Sequence, residues 1–257
     1  MTIGCIIQAR MGSSRLPGKV MMEIEKNKPV LYYVISQLQY CKLIDKLIVA
    51  TTTLVEDDKI VKYCNELCVD SYRGSPQNVL DRYYQCAKKF SVSTIVRIPS
   101  DKPFIDPEVV DNIIDKFRLN SYDYITTFLP STFPSGTEVE IFSFKALEYA
   151  WKNAELPSEK EHVTPYIYNH KDQFKIFNVT LPEDLSHYRW AVDRIEDLTL
   201  VRSIASRIKK RPISMKDVIK LFNREPQLID INKNVNREEG TLKSIKEDEN
   251  FVKSRKL

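Results

Sequence analysis

From the amino terminus to residue 120 the chain alternates apolar runs of strand length with segments of helical periodicity, and few folds accommodate that alternation. Strands are expected at Ile3–Ala9, Lys46–Thr51 and Thr94–Ile98, and helices at Val30–Cys41, Glu56–Leu67 and Asn78–Phe90. A strand that returns to its sheet through a helix pairs in parallel, by a right-handed crossover. The expectation is an α/β protein, three layers around a mostly parallel sheet. Ligands of such sheets collect beyond the carboxyl ends of the strands. Arg10–Lys19, Thr51–Thr53 and Pro99–Asp101 all fall at that edge, which points to one site.

The segment after the first strand is Ala9-Arg10-Met11-Gly12-Ser13-Ser14-Arg15-Leu16-Pro17-Gly18-Lys19, with three cations and two of the chain's 6 glycines. Glycine permits a bend with φ > 0 or the close approach of a ligand, and the N–H groups of a bend can surround phosphate oxygens. A nucleoside triphosphate is the polyanion this chemistry suits best. Neither G-x-x-x-x-G-K-[ST] nor G-x-G-x-x-G is present, so capture relies more on side-chain charge than on a glycine cradle.

Later segments read less regularly. Strands are expected at Asp123–Thr127, Glu138–Ser143, Phe174–Val179 and Tyr188–Val192. Residues 1–232 form the α/β domain, with an excursion at about 128–180 that closes over the site or builds a subunit interface. Residues 233–257 are half charged with few apolar anchors and read as a frayed tail. Ser75-Pro76, Asp106-Pro107 and Ser214 with Asp217 are helix-start signals.

Composition excludes several classes. A net charge of +4 is too mild for a nucleic-acid surface. No stretch approaches membrane-span length, and the first apolar run is too short for a signal peptide, so the expected location is cytoplasmic. Five scattered cysteines give no disulfide framework; Cys64 and Cys68, four apart on a helix, suit core packing.

Asp101 ends the strand at 94–98 and faces the basic bend, a place suited to Mg²⁺ held against phosphate oxygens. Magnesium favours one or two carboxylates plus phosphates and waters. The second carboxylate is Asp193, at the end of His187-Tyr188-Arg189-Trp190-Ala191-Val192-Asp193. Asp106 reads instead as a cap before Pro107. Arg73-Gly74-Ser75 suits either a base-reading turn or a simple connection. Glu138 and Glu140 share one strand face, and His162 opens a helix with Pro165 and Tyr166 after it.

At these positions the chain resembles bacterial cytidylyltransferases that make CMP-activated sugars, the CMP-Kdo and CMP-acylneuraminate synthetases. It is most similar to their spore-coat polysaccharide SpsF-type branch. The likeness rests on Ala9-Arg10-x-Gly12-Ser13-x-Arg15-Leu16-Pro17-x-Lys19 and on Glu161-His162-Val163-Thr164-Pro165. It extends to Arg73-Gly74-Ser75 with Arg82-Tyr83, Ser100-Asp101-x-Pro103, Glu138-Val139-Glu140 and Arg189-Trp190-Ala191-Val192-Asp193.

The resemblance implies a GT-A-like nucleotidyltransferase fold, CTP as donor, a small-molecule acceptor and a homodimer. It implies Mg²⁺ on Asp101 and Asp193, and Arg10, Arg15 and Lys19 on the triphosphate. Arg10, Arg15, Lys19 and Asp101 are the catalytic candidates. Ala9, Met11, Gly12, Ser13, Thr52, Gly74, Ser75, Arg82 and Ser100 complete the nucleotide candidates. Glu138, Glu140, His162 and Arg189 are the acceptor candidates. Gln8, where the sugar-acid synthetases carry proline, and Lys102, beside Asp101, depart from the pattern on the acceptor side. The alternative activity is a GT-A glycosyltransferase consuming a nucleotide sugar, though Lys102-Pro103 replaces the usual Asp-x-Asp element.

Overall fold

The computed structural model describes residues 1–236 and 239–255. In chain order it opens with β1 (Ile3–Gln8), β2 (Glu23–Glu25), β3 (Lys28–Pro29), α1 (Val30–Leu38), β4 (Lys46–Thr52) and α2 (Asp58–Glu66). There follow β5 (Asp70–Gly74), α3 (Val79–Lys89), β6 (Thr94–Pro99), α4 (Pro107–Asn120), β7 (Tyr124–Thr126) and β8 (Glu140–Ser143). The remainder is α5 (Phe144–Asn153), α6 (Pro157–His162), α7 (Pro165–Asn169), β9 (Ile176–Asn178), α8 (Ile195–Arg207), α9 (Met215–Arg224) and α10 (Glu239–Ser254).

Seven strands form one sheet in the order β5-β4-β1-β6-β8-β7-β9, while β2 and β3 make a separate small hairpin. β1 lies between β4 and β6 and pairs in parallel with both. Among the described residues the only antiparallel pairings in this sheet are β8's, with β6 and with β7. Successive side chains of a strand point to opposite faces, and both faces of β1 are apolar. Cys5 and Ile7 join the core under α1, α2 and α4, whereas Ile6 joins the core under α3, α5 and α7. A strand buried on both sides reads as an unbroken apolar run, which is why Ile3–Ile7 was legible.

A third cluster packs α8 and α9 around the fully buried Trp190. One carboxylate joins this cluster to the sheet layer. Asp106 accepts from Glu108 N at 2.9 Å, capping α4, and from Met215 N at 2.7 Å at the start of α9.

Several expectations need correction. Tyr188–Val192 is no strand: it makes a single bridge, Arg189 with Ser135, and is held by Val192 N donating to Asp101 O at 2.8 Å. Its apolar residues serve Trp190's cluster, so their alternation reflects burial without a ladder. The helix expected to start after Ser75 starts at Val79 instead, because Asn78 accepts from Asp81 N. Ser75 Oγ accepts from Asn78 N at 3.0 Å, closing the preceding turn. β5 was missed because it is polar and partly exposed at the sheet edge. The residues read as a frayed tail carry α10, which lies against α6. Among the described residues all five cysteines are free, and no helix is long and apolar enough to cross a membrane.

Candidate active site

The bend after β1 is tied at its base. Gly18 N donates to Met11 O at 2.8 Å, and Gly18 adopts φ +74°, a conformation that favours glycine. Met11 N donates to Asp57 Oδ1 at 2.7 Å, and Thr52 Oγ1 donates to the other oxygen of the same carboxylate. Asp57 is completely buried and fixes the backbone of the bend against the end of β4. It passed unnoticed in the sequence because an acid beside Glu56 and Asp58 looks like a solvated helix start.

A cavity of about 710 Å³ opens at the carboxyl edge of the sheet. Ala9, Arg10, Ser13, Arg15, Lys19, Arg82, Ser100, Asp101 and His162, all sequence candidates, line it. Met11, Gly12, Thr52, Gly74, Ser75, Glu138, Glu140, Arg189 and Asp193 are not part of its lining. Arg97 and Lys160, which were not singled out, also line it, as do Gln8, noted as a departure from the family pattern, and Glu161, read together with His162. Gly74 still shapes the wall: a Cβ there would stand 3.1 Å from the Arg82 Cγ, so the glycine lets β5 lie close to that side chain.

The three cations of the bend all have partners. Arg10 Nη2 lies 2.8 Å from Glu161 Oε1, and Arg15 Nη2 lies 2.5 Å from Asp193 Oδ1. The Lys19 ammonium donates to Asp101 Oδ2 at 3.1 Å, Asp193 Oδ1 at 2.9 Å and Val192 O at 2.7 Å. Burial works against its charge, but the two carboxylates outweigh that and hold its pKa above the ordinary lysine value. Burial likewise opposes the charge on Asp193, yet Lys19 and Arg15 keep its carboxyl well below the usual range.

Asp193 is positioned from behind. Arg189 donates to Asp193 Oδ2 at 2.7 Å and pairs with the fully buried Asp197 at 3.0 Å. Asp197 also accepts from Asp193 N, Arg194 N and Asn232 Nδ2. Asp193 therefore sits at the entrance to α8, not at a strand tip. The ammonium that touches both Asp101 and Asp193 marks a point where two carboxylates converge on one cation. That donor set fits a divalent ion that takes two carboxylates and completes its shell with phosphate oxygens and water.

The β6–β8 side is built differently. Glu140 is buried in the sheet, paired with Arg97 and accepting from Tyr124 at 2.8 Å and Thr164 at 2.5 Å. It orients Arg97, whose Nη2 also donates to Gln8 Oε1 at 3.1 Å. Glu138 is held by Lys102 at 3.0 Å and accepts from Gly136 N. The two departures noted in the sequence, Gln8 and Lys102, thus support Arg97 and Glu138. Arg82 is 1% exposed and donates to Ser75 O at 2.8 Å, while its Nε and the Arg97 Nε have no hydrogen-bond partner. Burial lowers the Arg82 pKa. Burial, then the nearby Arg97, lowers that of His162, whose Nε2 lies 2.7 Å from Ser244 Oγ.

A mixed sheet with a cationic bend and converging acids at its carboxyl edge is the GT-A-like nucleotidyltransferase fold. CMP:2-keto-3-deoxy-manno-octonic acid synthetase complexed with CTP shares it, with a TM-score of 0.62 at 16% identity over 80% of this chain and 99% of that one. Residues 4–227 match the cytidylyltransferase family, and the chain belongs to it. It is accordingly a CTP-dependent nucleotidyltransferase.

The chain is 38% identical to the uncharacterized protein MJ1063 of Methanocaldococcus jannaschii, over 91% of this chain and 96% of that one. It is 33% identical to the spore coat polysaccharide biosynthesis protein SpsF of Bacillus subtilis, over 86% and 94%. The structure of a cytidylyltransferase from Leptospira borgpetersenii superposes with a TM-score of 0.87 at 32% identity, covering 92% and 98%.

Proposed function

We propose that the protein transfers CMP from CTP to a sugar, sugar-acid or phosphorylated acceptor, releasing pyrophosphate, in the biosynthesis of a surface polysaccharide. The observation that carries this reading is the meeting of Arg10, Arg15, Lys19 and Asp101 on one cavity, with Asp193 bound to Lys19 and Arg15. Membership of the cytidylyltransferase family supplies the nucleotide, and likeness to SpsF supports the polysaccharide setting. CTP is an intracellular metabolite, so the reading places the protein in the cytoplasm. A homodimer, implied by the resemblance, belongs to the same reading and is checked by light scattering.

In the reaction an acceptor oxygen attacks the α-phosphorus in line, the bond to the bridging oxygen breaks, and pyrophosphate leaves. Positioning and charge neutralisation carry such chemistry. Arg10 and Arg15 exchange their carboxylate partners for phosphate oxygens. Asp101 and Asp193 would hold Mg²⁺, which neutralises charge on the reacting phosphate when bound. Lys19 already holds a positive charge between those carboxylates, so it yields that place and turns toward the phosphates. Arg82 and Arg97 also line the cavity, and so does His162, whose imidazole burial biases toward the neutral form.

Incubation with CTP, Mg²⁺ and a panel of acceptors, read by pyrophosphate release, tests the reading. Replacing CTP by UTP, GTP or ATP tests the base. Pyrophosphate release with CTP and an acceptor supports it. Release of a nucleoside diphosphate from a nucleotide sugar, with none from CTP, would identify a glycosyltransferase instead.

A further inference from the structure

The family match ends at residue 227, whereas α10 begins at Glu239. This helix nevertheless forms one side of the cavity, through Glu239, Gly240, Lys243, Ser244, Glu247 and Phe251. It spans the opening. At its amino end Glu239 accepts from Arg194 Nη2 at 2.7 Å, next to Asp193. In its middle Ser244 Oγ meets His162 Nε2 at 2.7 Å, and further along Asp248 accepts from Ser158 N at 2.9 Å. Arg255, just past its end, pairs with Glu155. The ties therefore reach α8 on one bank and α6, with the turn before it, on the other.

What holds α10 is polar, and the ion pairs at its two ends are solvent-accessible, while Ser244 in its middle is buried. Leu242, Ile245 and Val252 are 56%, 51% and 42% exposed, so its larger aliphatic side chains are not anchors in a core. Exposed ion pairs and hydrogen bonds of this kind are individually weak. Elements with few buried apolar contacts open at low free-energy cost. The helix is placed to close the cavity and is fastened lightly enough to leave it.

We propose that α10 is a lid that selects the nucleophile: closed, it keeps bulk water from the α-phosphorus of bound CTP, and it opens for ligand exchange. The proposal rests on the cytidylyl-transfer reading. The reaction it suppresses is hydrolysis. A water oxygen bonds to the α-phosphorus, the bond to pyrophosphate breaks, and the water proton passes to solvent, leaving CMP and pyrophosphate.

The test compares the full-length protein with a Glu239→Ala, Ser244→Ala, Asp248→Ala variant that cuts three ties, and with Ser244→Ala alone. Circular dichroism and the melting temperature confirm that each is folded. Without ligand, amide hydrogen exchange across 239–254 is expected to show measurable protection in wild type and to be at least tenfold faster in the triple variant. With CTP and Mg²⁺ but no acceptor, CMP formation is expected to rise at least tenfold in the triple variant and less in the single one, with CTP affinity within threefold of wild type. Unprotected α10 amides in wild type would overturn the lid. So would a freed helix with unchanged CMP formation. A wild-type protein that takes up no CTP while its α10 amides stay protected would instead overturn the nucleotide reading, and with it this role for the helix.

Discussion

On the bend every cation already faces a carboxylate: Arg10 with Glu161, Arg15 with Asp193, and Lys19 with Asp101 and Asp193. Near the Arg10–Glu161 pair, Arg82 is buried and, among the described residues, has no ion-pair partner. The first arrangement is stable without ligand and must trade partners when phosphate arrives. The second leaves a buried guanidinium whose desolvation is only partly offset by its hydrogen bond to Ser75 O. Charged ligands are thus received by exchange on the bend and by filling an unmet need at Arg82.

The comparison breaks first on turnover. Lys19→Ala and Asp101→Asn are each expected to lower pyrophosphate release at least about a hundredfold, the about 2 to 4 kcal/mol typical of a lost transition-state contact. Near-normal rates in both folded variants would remove these residues from the chemistry.

Opposite effects on stability sharpen it. Arg82→Met removes an unpaired buried charge and keeps most of the volume, so the melting temperature is expected to rise by a few degrees, about 2 to 4 °C per kcal/mol gained. CTP affinity in the same variant is expected to fall about tenfold. Lys19→Ala leaves two carboxylates facing each other and is expected to melt lower. Equal shifts of one sign in the two variants would erase the distinction.

Competition for the two carboxylates is a finer test. Without nucleotide, Lys19→Ala is expected to bind Mn²⁺ about tenfold more tightly than wild type by electron paramagnetic resonance, because the ammonium no longer occupies the place between them. Unchanged affinity would mean that ammonium and metal do not compete there.

The smallest effect is on pH dependence. The pKa of His162 is lowered from 6.5 in the folded protein. Its neutral form therefore contributes stability that is complete above the unfolded value and declines as pH falls from there toward the folded one. His162→Gln is expected to flatten that acid-side slope in chemical denaturation, and a slope identical to wild type would count against a buried neutral imidazole.

The paired bend was the legible part. Cations clustered on a bend after an apolar strand, and an acid after another strand, are visible without knowing what lies beside them. Asp57 and Arg97 were not visible, because each acts through a partner distant in sequence, Met11 and Glu140; Asp197 looks like an acid at a helix start, and its pairing with Arg189 follows from the fold. The same limit explains Glu140 and Arg189. Their types suit a ligand, but the fold turns one to Arg97 and the other to Asp193 and Asp197. Strand existence was readable where both faces are apolar, as in β1, and unreadable in the polar edge strand β5. A charged, apolar-poor segment reads as disordered, yet α10 is secured by contacts to α6 and α8's first turn that no local pattern announces.

Calorimetric titration of CTP with Mg²⁺ into wild type, Arg15→Ala and Lys19→Ala bears most directly on whether the bend and the acids form one nucleotide site. Saturating uptake at a single site in wild type, weakened at least tenfold in each variant, is the expected result. Absence of uptake by wild type, or equal affinity in all three proteins, would contradict it.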